Sequence, residues 1–166
     1  MVELFHTTSE SCSRIITQRY STSFSSAIKM LHKDLRTPIF NIYGFVRFAD
    51  EIVDTFHDHD KVALLTQFKK ETYDAIDRGI SLNPVLNSFQ LTVNEFNIDL
   101  KLVDAFFRSM EMDLEKKNYD CAGYKEYIYG SAEVVGLMCL YVFCEGKQEL
   151  FDHLEAPARS LGAAFQ

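Results

Sequence analysis

Tyr43, Arg47, Asp50 and Asp54 follow one another at steps of four, three and four. On a helix of 3.6 residues per turn, that spacing lines them up as one polar stripe. The other sides of the same segment carry Phe45, Phe48, Ile52 and Val53, so the helix is apolar nearly all round, the pattern of a buried element. Two carboxylates one turn apart repel by about 0.2–0.5 kcal/mol even on an exposed helix, and burial without a partner costs more. Arg47 can neutralise one of them. A divalent cation between Asp50 and Asp54 would neutralise both, and Mg²⁺ accepts one or two carboxylates together with phosphate oxygens. The competing reading of Asp-x-x-x-Asp is a solvated helix face, and the residues leave both open.

Two further segments have chemical potential. Tyr20-Ser21-Thr22-Ser23-Phe24-Ser25-Ser26 gathers hydroxyls where a helix begins. They serve as caps for free N–H groups, or, with the same geometry, Ser21 and Ser23 help to form a mild anion site. Tyr127 to Gly136 sets Gly130, Ser131, Ala132 and Gly136 inside a helical stretch. A glycine in mid-helix costs about 1 kcal/mol against alanine, so something approaches the backbone closely there. A neighbouring helix is the ordinary partner, and an elongated apolar ligand lying beside Tyr127 and Ala132 is the other.

Several patterns carry no chemistry. Glu3-x-x-His6 has no second copy, as a di-iron bundle would need. His57 and His59 sit in the one charge run, His57-Asp58-His59-Asp60, which reads as a hydrated loop. There is no Walker loop, dinucleotide fingerprint or Gly-x-Ser-x-Gly. Cys12, Cys121, Cys139 and Cys144 have neither disulfide-framework nor zinc spacing, which fits reduced thiols in a cytoplasmic protein.

Helices must position these residues. Ile98, Leu102, Phe106, Met110 and Leu114 recur at steps of four, an apolar face about five turns long. Asp99 stands at its N-cap, and Thr37-Pro38 and Asn83-Pro84 mark two more starts by a capping residue before proline. Gly79 and Asn118 suit helix ends. The periodicity predicts helices near 3–18, 21–32, 38–56, 60–78, 84–96, 99–117, 121–144 and 147–166, with no strand signal. The chain has 166 residues, 47% of them hydrophobic, with seven Gly and three Pro, so it suits one packed domain and neither disorder nor a loop-rich all-β fold. A net charge of −7 with no basic cluster argues against a nucleic-acid partner. The longest apolar run, Val134 to Cys144, is shorter than the ~20 residues of a membrane span and reads as a core helix. The start lacks a signal-peptide pattern. Ser160 to Gln166 looks like a helix in mid-run, so the sequence is expected to be part of a longer domain.

Read together, these segments resemble the squalene/phytoene synthase family of head-to-head prenyltransferases. Ser21-Thr22-Ser23-Phe24 is similar to its Ser-x-Ser-Phe segment, and Arg47-Phe-Ala-Asp50-Glu-Ile-Val-Asp54 to its first aspartate-rich motif. Tyr127 with Ala132, Val135 and Gly136 matches Tyr-x-x-x-x-Ala-x-x-Val-Gly. Leu161-Gly162-Ala163-Ala164-Phe165-Gln166 is similar to the lead-in to a second metal motif, which would begin just beyond. Where relatives often place a basic residue, this chain has Tyr20 and Thr22, with Arg19 the nearest cation.

The resemblance implies an all-α, orthogonal helical bundle of the isoprenoid synthase type around a central cavity. Residues 1–166 would be the N-terminal part of that single domain, inactive alone. It implies Mg²⁺ (or Mn²⁺) held by Asp50 and Asp54, and Arg47 and Tyr127 as catalytic groups. Ser21, Ser23, Phe24, Tyr43, Arg47, Ala132 and Gln166 would bind substrate. Two prenyl diphosphates are the expected partners, with no obligate protein partner and with peripheral membrane contact for a hydrocarbon product. The run from Tyr43 to Asp54 is closest to carotenoid-pathway members, so phytoene formation from two C20 diphosphates, without NADPH, is the expected reaction. Squalene or dehydrosqualene formation from C15 substrates is the alternative. A non-catalytic helical binding module is a rival of a different class. It predicts that Asp50 and Asp54 face solvent or pair only with Lys or Arg, whereas the enzyme reading predicts that they open onto a deep apolar pocket.

Overall fold

The computed structural model describes residues 2–115 and 121–164, and all the regular structure among them is helical. The helices are α1 (Val2–Tyr20), α2 (Thr22–Met30), α3 (Lys33–Asp54), α4 (Lys61–Arg78), α5 (Pro84–Phe96), α6 (Leu100–Glu115), α7 (Cys121–Ile128), α8 (Val134–Cys144) and α9 (Gln148–Ala164). A π-helical turn, Tyr129–Glu133, joins α7 to α8 without a break.

Caps set most of the boundaries. Asn83 accepts hydrogen bonds from the N–H groups of Val85 and Leu86 at 3.0 and 3.4 Å ahead of Pro84. Asp60 caps α4 through Ala63 N–H at 3.0 Å, and Asp99 accepts from Lys101 N–H at 2.9 Å. Gly79 closes α4 at φ 69°, a left-handed conformation that glycine adopts without strain. Thr37-Pro38 does not start a helix: α3 begins at Lys33, and Pro38 lies inside it. The proline lacks an N–H for the Asp34 carbonyl, a loss confined to the second turn, where the helix continues regardless. Arg36 helps to fix this corner by donating from Nε to the Leu31 carbonyl at the end of α2, at 2.8 Å. The expected end at Asn118 lies outside the described residues.

Helix α3 is the central post, in contact with α1, α2, α4, α5, α6 and α8. Its Phe45 is fully buried and stacks on Phe89 of α5, with centroids 3.8 Å apart and planes 7° from parallel. Phe68, Phe106 and Phe107 complete a five-ring cluster around it. The opposite side of α3 meets α1 through a polar seam. Ser9, Ser13 and Thr17 are the buried residues of α1, and the Ser13 and Ser88 hydroxyls share a hydrogen bond at 2.6 Å. Asn87 reaches both Ser9 and His6 at 3.0 Å. Gly44 makes this approach possible, because a Cβ there would lie 2.7 Å from Ser13 Oγ.

Ala122–Cys144 is long and apolar enough to cross a membrane by length and composition. Its second half, however, is a core helix: Val134, Leu137, Met138, Leu140 and Val142 are buried where α8 meets α3, α6 and α9. A buried core helix passes the same composition test, so the pattern is weak support for a span.

Candidate active site

The stripe predicted on α3 forms, and its members differ in surroundings. Asp50 is half-buried, whereas Asp54 in the last turn is exposed. Burial raises the Asp50 carboxyl to about 6. Arg47 nearby pulls it back, and the negative charges of Asp54, Asp113 and Glu51 push it further up. Asp50 is thus a carboxylate short of positive charge.

Arg47 does not supply that charge by direct contact. Its guanidinium pairs with Glu51 at 2.6 Å, one turn on, and lies over the Tyr20 ring at 4.6 Å. The expectation that Arg47 neutralises one of the two aspartates is therefore corrected: Glu51 competes from the favoured i+4 position, and the Tyr20 ring holds the guanidinium by a cation–π contact. The spacing of Glu51 from Arg47 was visible in the sequence; the arrival of Tyr20 from another helix was not.

Around the stripe, the junction of α1 and α2 contributes an aromatic pair. Ser21 caps α2 by accepting from Phe24 N–H at 3.2 Å, so the capping reading of this hydroxyl holds. Phe24 stacks on Tyr43 with centroids 4.8 Å apart. Ser23 is exposed on the first turn of α2. From α6, Asp113 accepts a hydrogen bond from the Tyr127 hydroxyl at 3.0 Å. Asp113 also bears on Asp50 electrostatically. It links the Tyr127 segment to the acid pair, and no spacing marks it out, since it is one of several polar residues that flank the apolar stripe of α6.

The small residues after Tyr127 are explained by helix packing. A Cβ on Gly130 would stand 2.1 Å from Ser109 Oγ and 2.3 Å from the Ala105 carbonyl of α6. The hydroxyls of Ser109 and Ser131 both donate to the Tyr127 carbonyl, at 3.0 and 2.8 Å. The backbone at Ala132 is approached by Gly162 of α9, whose Cβ would lie 2.9 Å from the Ala132 carbonyl. Arg159 fastens α9 to the π-turn by pairing with Glu133 at 2.7 Å. Gln166 lies outside the described residues.

A groove of about 340 Å³ opens beside the stripe, lined among others by Tyr20, Phe48, Glu51, Phe56, Leu64 and Phe68. It is mostly apolar, but neither aspartate lines it. This groove therefore does not meet the expectation that the acid pair opens onto a deep apolar pocket; it lies on the Glu51 side of α3. The binding-module rival expects both acids to face solvent or to pair only with Lys or Arg: Asp54 is exposed as it expects, Asp50 is half-buried, and among the described residues neither forms an ion pair with Lys or Arg.

The donor set suits a small hard cation. Asp50 and Asp54 offer carboxylate oxygens one turn apart, and the raised Asp50 carboxyl marks a place where positive charge is wanting. Among the described residues no cluster of three or more His, Cys, Asp or Glu forms a closed metal cage. Two carboxylates with the remaining positions left to water and phosphate oxygens is the mode in which Mg²⁺ is usually held.

Comparison with known proteins fits this arrangement. The family model for squalene/phytoene synthase matches residues 17–166. Presqualene diphosphate synthase of Rhodopseudomonas palustris is 29% identical over 125 residues, covering 74% of this chain and 44% of that protein. Phytoene synthase of Arthrospira platensis is 26% identical over 138 residues, covering 82% of this chain and 45% of that one. The chain thus spans less than half the length of these curated relatives. Two solved structures share its fold: a dehydrosqualene synthase in complex with ligand (TM-score 0.81, 23% identity, 96% of this chain and 54% of that one) and a squalene synthase from Alicyclobacillus acidocaldarius (TM-score 0.84, 22% identity, 99% and 60%). Their all-helical, isoprenoid-synthase type of architecture is the fold expected from the sequence. With its motifs in the family's order and a match over residues 17–166, this chain belongs to the squalene/phytoene synthase family.

Proposed function

We propose that the protein condenses two prenyl diphosphates head to head, and that the chain described here supplies the first jaw of the site. The observation that carries this reading is the acid pair of α3: Asp50 half-buried, Asp54 one turn on, and the nearby arginine committed to Glu51. Asp50 and Asp54 would hold Mg²⁺ against the diphosphate of the substrate. When bound, the ion neutralises the leaving group, so that an allylic carbon–oxygen bond breaks more readily.

The chain's own residues divide the remaining work. Arg47 presents a fixed positive charge beside the acid pair, suited to a diphosphate oxygen. Phe24 and Tyr43 form a stacked wall whose π faces favour an allylic cation and exclude water. Tyr127, whose hydroxyl donates to Asp113, would accept or return a proton through that hydroxyl. Ser21 keeps the start of α2 in place, and Ser23 and Ala132 are candidate contacts for the substrate.

In the reaction proposed, one substrate loses diphosphate and a proton as its C1 joins the double bond of the other, giving a cyclopropyl diphosphate. Loss of the second diphosphate and another proton then rearranges it to a symmetric hydrocarbon. The run from Tyr43 to Asp54 supports C20 substrates and phytoene, which needs no reductant. The 29% identity with a presqualene diphosphate synthase favours a second reading, C15 substrates. A cytoplasmic enzyme that touches a membrane to deliver its apolar product suits either.

The test uses full-length protein, Mg²⁺ and labelled C20 or C15 diphosphate, with and without NADPH. C20 turnover to phytoene without NADPH is the expected result. C15 turnover alone would replace the first reading with the second, and no turnover of either would overturn both. Asp50→Asn should lower turnover by about a thousandfold, near 4 kcal/mol of lost transition-state stabilisation; full activity in that variant would remove the acid pair from the mechanism.

A further inference from the structure

Arg47 has a choice of carboxylates on its own helix, at i+3 (Asp50), i+4 (Glu51) and i+7 (Asp54). It pairs with Glu51 at 2.6 Å. The partner is chosen from one side, because Glu51 and Tyr20 both line the apolar groove, and Asp50 and Asp54 do not. Tyr20 presents its ring to the guanidinium at 4.6 Å from that same side. The side chains of Arg47 and Glu51 are only 26% and 18% exposed, so the pair is sheltered from water and salt. The arrangement does not satisfy the arginine fully, since its Nε is buried with no hydrogen-bond partner among the described residues. A guanidinium placed by its own donors would turn Nε toward an acceptor. This one is held by what grips its far end.

We propose that Glu51, backed by the Tyr20 ring, is a positioning residue that turns Arg47 away from Asp50 and Asp54 and leaves the acid pair open to a divalent cation. Without Glu51, the next carboxylate that bears on Arg47 is Asp50. An internal ion pair there competes directly with cation binding. The inference rests on the reading of Asp50 and Asp54 as cation ligands, and it makes Glu51 act through Arg47 rather than by touching the metal or the substrate.

The experiment measures Mn²⁺ affinity of the full-length protein by electron paramagnetic resonance, in the parent and in Asp50→Asn, Glu51→Gln, Arg47→Gln and the Glu51→Gln/Arg47→Gln double variant. Glu51→Gln should weaken Mn²⁺ binding about fivefold, the scale of a competing partly sheltered ion pair. In the Arg47→Gln background the same substitution should change affinity by less than about twofold, because the competitor is gone. A merely structural or directly coordinating Glu51 would weaken binding equally in both backgrounds, and that result overturns the proposal, as does unchanged affinity in Glu51→Gln. If Glu51→Gln proves unfolded by circular dichroism, Glu51→Asp, which keeps the charge and shortens the reach, decides in the same way. Failure of the underlying reading looks different: Mn²⁺ affinity would then be the same in the parent and in Asp50→Asn.

Discussion

Asp50 holds its charge against its surroundings, and the consequence can be measured. Burial and three neighbouring acids raise its carboxyl from 3.8 to about 6, with Arg47 only partly offsetting them. The folded chain therefore binds a proton there more tightly than the unfolded chain does. The stability this contributes is fully present below pH 3.8 and is lost as pH rises through about 6. Asp50→Asn cannot ionise. With divalent cations removed, it should be more stable than the parent at pH 7.5 by about 1–2 kcal/mol, within the ~3 kcal/mol that such a rise represents and reduced by partial exposure. Near pH 4 the two proteins should melt together. Thermal or urea melts at both pH values test this, and an equal gain at both would show that Asp50 does not titrate as described. Cation affinity should fall as pH drops through about 6, because a bound carboxylate must be deprotonated; titrating Mn²⁺ at pH 7.5 and 5 checks it. The stripe of Tyr43, Arg47, Asp50 and Asp54 was legible from spacing alone. The partner of Arg47 and the place of Asp113 were not, since each is decided by a side chain arriving from another helix.

The helices themselves were read well where a cap or a long apolar period announced them, as at Asn83-Pro84, Asp60 and Asp99. The period ran through two features it could not detect. Pro38 sits inside α3, one turn past its start, where it leaves the Asp34 carbonyl without its helical partner and crowds it, so the residue that suggested a start did not make one. The π-turn at Tyr129–Glu133 preserves the helical pattern while adding a residue to one turn. Two glycines in this stretch should respond very differently to a methyl group. Gly130→Ala drives Cβ to 2.1 Å from Ser109 Oγ and 2.3 Å from the Ala105 backbone carbonyl; the backbone cannot yield cheaply, so the variant should lose about 2–4 kcal/mol. Gly136→Ala meets only the Ala158 carbonyl, at 3.4 Å, and the gain in helix propensity of up to ~1 kcal/mol should leave it neutral or slightly stabilised. Urea denaturation of both variants decides the matter, and an equal loss in the two would refute the packing reason given for Gly130.

At the scale of the whole molecule, a chain that spans 44–45% of the length of its curated relatives still has a core of its own. Phe45, Phe89, Phe106 and Phe107 are fully buried without any further segment, so the helices have their own reason to stay together. Phe48 and Tyr20 on the groove beside the acid pair stay 37% and 50% exposed, although the first meets the Phe68 ring and the second the Arg47 guanidinium, and exposed apolar area of this kind is costly. The acid pair has the same character: two carboxylates, an adjacent arginine held aside, and no third ligand among the described residues. Family resemblance from the motifs pointed to this shape, whereas composition and periodicity alone went no further than an acidic helical domain. Residues 1–166 expressed alone should therefore keep a helical circular-dichroism spectrum, bind a hydrophobic dye at the groove, and convert neither C20 nor C15 diphosphate in the presence of Mg²⁺. The full-length protein should convert one of them. Dye binding that falls when Phe48 or Tyr20 is replaced by Ser would locate the exposed surface at the groove. Turnover by residues 1–166 unaided would show that one pair of carboxylates is sufficient, and would remove the need for a second jaw.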